Sequence, residues 1–335
     1  MKRILYIGNK LQNKTSNLSS IHTLGPLLEE EGFKVCYASS KSNKVARLLD
    51  MVFTFFRRAY QINVVLIETY STHNFYYALI ISQLCRVFKV DYIHSLNGGN
   101  LPARLQKHPV LSGMMFNNSK CNISPSKYLM NSFKEYGYDN VRYIPNTLNI
   151  ENYKRLEKDF SCPKLLWVRS FSKIYNPKLA IKVLKQLKIS YPNATLCMVG
   201  PDSDGTLKKV KKLANGLGLS VVFTGKLTKH QWIAQSKDYN IFINTTNFDN
   251  TPVSVIEAMA LGLPVVSTNV GGMPFLIDNN YNGVLVEPND EDQMVNAILD
   301  VLHDAKKRNE IIANARLKVE EFDWETVKKL WFEVL

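Results

Sequence analysis

The 335-residue sequence contains no run approaching the roughly 18 to 20 apolar residues of a membrane-spanning helix. Its first residues, MKRILYIGNK, have a basic start but an apolar run too short for a signal-peptide core. The protein is therefore expected to be cytoplasmic, either soluble or peripheral at the inner face of the cytoplasmic membrane. Cysteine is scarce. Five residues, Cys36, Cys85, Cys121, Cys162 and Cys197, stand singly and in odd number. No two share a metal-ligand spacing, which argues against a disulfide framework or a cysteine zinc site and fits a reducing compartment. Short-period repeats and low-complexity tracts are absent. So is any nucleic-acid-binding module, and the basic residues are dispersed rather than striped, so nucleic acid is not an expected partner. Acidic residues are few: 29 Asp and Glu against 42 Lys and Arg, a net charge of +13. Residues 1–150 hold 18 basic and 8 acidic residues, or +10, and the rest of the chain holds only +3. An anionic partner or surface is expected at the first half.

What is present is an ordinary soluble composition, 45% hydrophobic and 21% charged. The length points to two domains of about 150 to 170 residues. Apolar runs alternate with helical spacing. RILYIG, KVCYAS, NVVLIETY, VDYIHSL, CNISPS and VRYIPN read as strands. Between them LSSIHTLGPLLEEEG, KVARLLDMVFTFFRRAYQ, NFYYALIISQLCRVF and KYLMNSFKEYG read as helices. The polar stretch 147–163 breaks the rhythm as a linker, and the rhythm then restarts from KLLWVRSF to PVVSTNVGG before a helical ending. Strict alternation with near-continuous apolar strands predicts an α/β chain of two doubly wound parallel sheets covered on both faces. The expected boundaries are 1–150, 163–316 and a C-terminal helical segment, 317–335. Ligands of such sheets sit beyond the carboxyl ends of the strands, so the cleft between the domains is the expected active site.

One stretch concentrates the chemistry. YNIFINTT delivers the chain to a sheet end and NFDN turns it. Thr251 is expected to cap a helix beginning at Pro252, with the N–H groups of Val253, Ser254 and Val255 forming an anion seat. Asp249 and Glu257 can both reach a ligand at that helix start, where carboxylates accept hydrogen bonds from sugar or ribose hydroxyls. The same spacing also fits an ordinary capped core helix with two surface acids. PVVSTNVGG closes on a glycine pair where backbone can approach a ligand. WVRSFSKIYNP puts Arg169 and Lys173 past another strand, placed to clamp a diphosphate.

The ordered series LLWVRSF…YNP, MVGP, FTGKL and NTPVSVIEAMALGLPVVSTNVGG resembles glycosyltransferase family 4, of GT-B architecture with two Rossmann-like domains. The resemblance implies retaining transfer of a sugar from a nucleotide-sugar donor without a metal or other cofactor. A UDP-sugar is expected over a GDP-sugar on frequency alone. It also implies that the C-terminal helix, anchored by Trp324 and Trp331, crosses back to the first domain. Glu257 matches the family glutamate that holds the ribose. Asp249 stands where a glutamate usually contacts sugar hydroxyls, and is one methylene shorter. Arg169 matches the phosphate clamp, and Lys173 sits one residue nearer to it than the usual lysine. Gly200, Gly225, Lys226, Asn250, Thr251, Pro252, Val253 and Ser254 match donor-binding positions.

The first half departs from the family pattern. GNKLQNKTSNLSS lacks the glycine pair that approaches the donor phosphate, with Thr15 and Ser16 in its place. The strand that often ends in a catalytic histidine reads YIHSLNGGN. Asn97, Gly98 and Gly99 are expected to line the cleft, Asn97 in the histidine's place, with His94 as a buried structural residue.

The helix in residues 44–61 carries Lys44, Arg47, Arg57 and Arg58 and more apolar residues than one stripe needs. It reads either as a core helix with a basic flank or as one that dips into an anionic leaflet. The expected function is transfer to a glycan or lipid-linked acceptor in cell-surface polysaccharide or glycolipid assembly. The competing readings are a nucleotide-sugar epimerase of the same architecture and a non-catalytic nucleotide-binding or membrane-recruiting homologue. No oligomeric state follows from the sequence.

Overall fold

The computed structural model describes residues 2–11 and 19–335; Thr15 and Ser16 lie outside them. The chain divides into two compact units, one of Met1–Thr147 with Val327–Leu335, the other of Leu148–Thr326.

In the first unit, β1 (Arg3–Ile7), β2 (Lys34–Ala38), β3 (Val64–Thr69), β4 (Asp91–Leu96), β5 (Cys121–Ser124) and β6 (Val141–Tyr143) form a parallel sheet. The order is β2-β1-β3-β4-β5-β6. β3 is buried along its whole length, as helices on both faces require. Two helices, Leu101–Lys107 and Pro109–Phe116, occupy a stretch where the sequence shows no element. Pro102 and Pro109 fall in their first turns, where the missing N–H is harmless, so they mark helix starts rather than breaks.

In the second unit, β7 (Lys164–Val168), β8 (Thr195–Val199), β9 (Val222–Gly225), β10 (Ile241–Asn244), β11 (Val265–Thr268) and β12 (Val284–Val286) are again parallel. The order β12-β11-β10-β7-β8-β9 winds outward from β7 and β10. The connections reverse direction between those two strands, and in sheets of this kind ligands bind at the carboxyl ends beside that point. The corresponding point in the first sheet lies between β1 and β3.

The 147–163 segment is not a free linker. Leu148 exchanges backbone hydrogen bonds with Phe322 and Trp324, and Tyr153 is buried among the core residues of the second unit. Residues 317–320 complete the helix Ala305–Glu320 of that unit, so the C-terminal segment grouped with the first unit is 327–335. All five cysteines are unpaired. Among the described residues no helix is long and apolar enough to cross a membrane.

Candidate functional site

Arg169 is the first residue beyond β7. Its N–H donates to the Val199 carbonyl, which ties the strand end to β8. The loop that follows is braced against the end of β10. Trp167 Nε1 donates to Thr245 Oγ1 at 3.0 Å, Thr245 Oγ1 donates to the Tyr175 carbonyl at 2.9 Å, and the Asn247 N–H donates to the Ile174 carbonyl at 2.7 Å. The Arg169 guanidinium lies 4.4 Å from the Tyr175 ring centroid and pairs through Nη2 with the Asp249 carboxylate. Asp249 also accepts the Asn250 N–H, so this shorter acid serves Arg169 and its own loop. Lys173 is exposed, and its backbone N–H donates to Asp204. The Asp204 carboxyl is held low, at about 2, by Thr206 foremost and by that N–H.

The helix after β10 spans Val253–Ala260, and Pro252, not Thr251, is its N-cap. Thr251 makes no capping bond because the turn is set by Pro252, whose carbonyl accepts the Val255 N–H at 3.0 Å. Val255 is therefore not part of the expected N–H set. The N–H groups of Val253 and Ser254 remain at the positive end of the helix, and among the described residues the buried Ser254 hydroxyl has no hydrogen-bond partner. Gly271 and Gly272 pack on this loop. Their missing side chains make room for the Asp249 and Asn250 carbonyls, and the Gly272 N–H donates to the Asp249 carbonyl at 2.9 Å. The pair's smallness thus serves the 249–250 loop, which in turn carries the partner of Arg169.

Glu257 is buried one turn into this helix. Its Oε1 accepts from the Tyr153 hydroxyl at 2.7 Å and pairs with Lys229 Nζ at 2.8 Å, while among the described residues no hydrogen bond reaches Oε2. One oxygen is thus held by the protein. Burial foremost, and the neighbouring Glu257 charge, push the Tyr153 phenol far up, so it stays a donor. Neither Tyr153 nor Lys229 is picked out by the sequence. Tyr153 is a single aromatic in a polar stretch. Lys229 opens the helix Lys229–Gln235, whose capping box of Thr228 and Gln231 fixes its position. With the nucleotide-sugar substrate that the resemblance implies, removing the hydroxyl by Tyr153→Phe should raise the KM about tenfold with kcat nearly unchanged, because a hydrogen bond to a charged group is lost. An unchanged KM in steady-state kinetics would refute this positioning role.

Nearby, Gly200 has φ +149°, and a Cβ there would overlap the Arg169 carbonyl, so the β8 loop closes directly on the β7 loop. Its N–H donates to the Gly225 carbonyl at 2.9 Å. Lys226 follows as an exposed residue.

In the first unit, Asn97 follows β4. Its Oδ1 accepts from Ser20 Oγ at 3.1 Å and its Nδ2 donates to Ser95 Oγ. Gly98 packs on the Tyr70–Ser71 backbone, and Gly99 is half-buried in the turn beyond. His94 is wholly buried, with Nδ1 2.8 Å from Thr69 Oγ1 and its ring edge-on to Tyr92 and Phe116. Burial lowers its pKa to about 3, so it is a neutral core residue.

Glu68, at the end of β3, is a second buried acid. It accepts the N–H groups of Ile21 at 2.7 Å and Asn9 at 3.3 Å, and the Tyr70 hydroxyl at 3.4 Å, tying residues 9 and 21 to the end of β3. Burial raises its carboxyl from 4.5 to about 7, against the opposing pull of those donors. A raised carboxyl pKa means that its stability contribution is complete below about 4.5 and is lost as pH rises through about 7. The stability of the wild type relative to Glu68→Gln should therefore fall, by on the order of 2 to 3 kcal/mol, between about pH 5 and pH 8. Denaturant melts at both pH values check this; a pH-independent difference would refute it.

Among the described residues no group of three or more His, Cys, Asp or Glu side chains is placed to hold a metal ion.

The family model described as glycosyl transferases group 1 matches residues 150–318, about half of the chain and nearly all of the second unit. The sulfoquinovosyl transferase SQD2 of Arabidopsis thaliana is 30% identical over 149 residues, 43% of this chain and 28% of its own length. The chain thus spans well under half of that relative. Among solved structures, Anabaena HepE in complex with UDP and glucose superposes with a TM-score of 0.79 at 18% identity, covering 99% of both chains. Sucrose-phosphate synthase from Thermosynechococcus elongatus superposes at 0.83 and 18% identity, covering 100% of this chain and 98% of its own. These two likenesses are of fold.

Proposed function

The chain belongs to the group 1 glycosyl transferases, with two Rossmann-like sheets of the GT-B fold, and from that premise we propose that it moves a sugar from a nucleotide-sugar to an acceptor hydroxyl with retention. One observation carries the reading. At the carboxyl ends of β7 and β10, a guanidinium from the loop after β7 stands with two helix N–H groups and a buried carboxylate from the single helix after β10. That is the donor set a nucleoside diphosphate calls for: cations and N–H groups for the phosphates, an acceptor for ribose hydroxyls.

In this reading Arg169, held by Asp249 and Tyr175, faces the diphosphate together with the Val253 and Ser254 N–H groups and the Ser254 hydroxyl. Glu257 accepts from the ribose. The C1–O bond to the diphosphate breaks, and its electron pair leaves on the phosphate oxygen. The acceptor oxygen bonds to C1 from the same face, and its proton passes to the departing phosphate. The positive groups stabilise the charge as it develops, where electrostatic preorganisation contributes most. The proposed reaction needs no metal. HepE, solved with UDP and with UDP-glucose, supports a UDP-sugar as donor. An Escherichia coli relative, 32% identical over 83 residues, is named as a galactosyltransferase acting on a diphosphoundecaprenol-linked sugar. It supports a lipid-linked acceptor in cell-surface glycan assembly.

A thermal-shift panel of nucleotide-sugars, followed by NMR of the product's anomeric configuration, tests the proposal. A rise in melting temperature with one donor and a retained anomer are expected. No stabilisation by any donor, or an epimerised free sugar nucleotide as product, would overturn it.

A further inference from the structure

We infer that the outward face of the Lys44–Arg58 helix docks on an anionic lipid bilayer. The helix is capped by Asn43, whose side chain accepts the Val45 and Ala46 N–H groups. Its inward face, with Met51 and Phe55, is already buried in the core of the first unit. A helix at the edge of a soluble domain needs one apolar stripe, and here that stripe is used. A second stripe faces outward. Val45, Leu49, Phe53, Phe56 and Tyr60 follow one another at intervals of four, four, three and four residues. Leu49 is 63% exposed, Phe53 66% and Tyr60 91%. The row continues onto the neighbouring helix, where Phe88 meets Phe56 and Tyr60 edge-on and Val87 is 75% exposed. A continuous exposed apolar surface with aromatic members marks an interaction site.

The charge around the row selects the occupant. Lys41, Lys44, Arg57, Arg86 and Lys89 are exposed on these two helices and their flanks, against two acids, the half-buried Asp50 and the exposed Asp91. Arg47 is not part of this set. It is buried and spent on the Lys41 and Ser42 carbonyls and Asn9 Oδ1. A second copy of the chain would bring the same positive charges face to face, which opposes self-association through this row. An anionic headgroup layer satisfies the lysines and arginines while the boundary below it takes the apolar row, the arrangement of an interfacial helix. The binding requires no donor, so its test is independent of the transferase reading.

Co-flotation with phosphatidylcholine vesicles, with and without phosphatidylglycerol, measures it. The protein should float only with the anionic vesicles and should detach as salt is raised. Leu49→Ser with Phe53→Ser alters only exposed positions and should leave the melting temperature unchanged while lowering partitioning at least about tenfold. Lys44→Glu with Arg57→Glu should lower it by a similar factor. Failure of the unaltered protein to float with anionic vesicles would overturn the inference. So would equal flotation of the Leu49→Ser, Phe53→Ser variant. A dimer in sedimentation equilibrium that this variant dissociates, without vesicle binding, would assign the row to a contact between copies instead.

Discussion

Replacing Arg169 with alanine is expected to lower kcat for sugar transfer by about a hundred- to a thousand-fold while the fold survives. The side chain adds nothing to a hydrophobic core, and its backbone bond to Val199 is untouched by the change. In the proposed reaction, what disappears is the cation beside the diphosphate, at the point where the leaving group gains negative charge. An interaction that strengthens in the transition state shows itself in kcat more than in KM. Arg169→Lys should recover only part of the loss. A lysine keeps the charge, but its ammonium cannot stack on the Tyr175 ring and at the same time reach the Asp249 carboxylate as the planar guanidinium does. Steady-state kinetics at saturating donor, with melting temperatures as the control for folding, check both variants. Activity within a few-fold of wild type in Arg169→Ala would remove the group from the reaction.

Glu257→Ala is expected to act on donor affinity instead, weakening it by about thirty- to a hundred-fold. The proposed ribose acceptor is lost, and the Tyr153 hydroxyl and Lys229 ammonium lose their shared partner. Leaving the buried Tyr153 hydroxyl without an acceptor also costs about 1 to 3 kcal/mol of stability. Glu257→Gln separates the two effects. It keeps an acceptor for Tyr153 and Lys229, so the fold should be nearly as stable as wild type, while the negative charge toward the ligand is gone. A donor affinity equal to wild type in Glu257→Ala, measured by titration, would contradict the assignment.

The parts of this site that were legible in the sequence are those set by local order. Arg169 follows directly on an apolar strand, and Glu257 lies within a short helix after another, so their places at the sheet edge follow from the rhythm of strand and helix. The parts that were not legible depend on long-range closure. Tyr153 reaches Glu257 across about a hundred residues of chain, and nothing in a polar stretch marks which aromatic will be buried. Asp249 reads as a ligand-facing acid until the fold turns it onto Arg169, and the Gly271–Gly272 pair reads as a ligand approach until it packs on the 249–250 loop. The Thr251 cap fails for a local reason: Pro252 carries extended backbone and takes the capping position itself. Glu68 did leave a signal, as the one carboxylate inside an otherwise apolar strand, VVLIET. The second apolar stripe of the Lys44–Arg58 helix was visible as a surplus, but only burial shows which stripe faces out.

The diphosphate seat is proposed to lie within the second unit and needs no acceptor, so calorimetric titration with UDP and with GDP probes it by itself. Saturable binding of at least one nucleotide by the wild type is expected, weakened tenfold or more by Glu257→Ala and by a smaller factor by Arg169→Ala. Binding of neither nucleotide, or binding that both substitutions leave unchanged, would contradict the proposed seat.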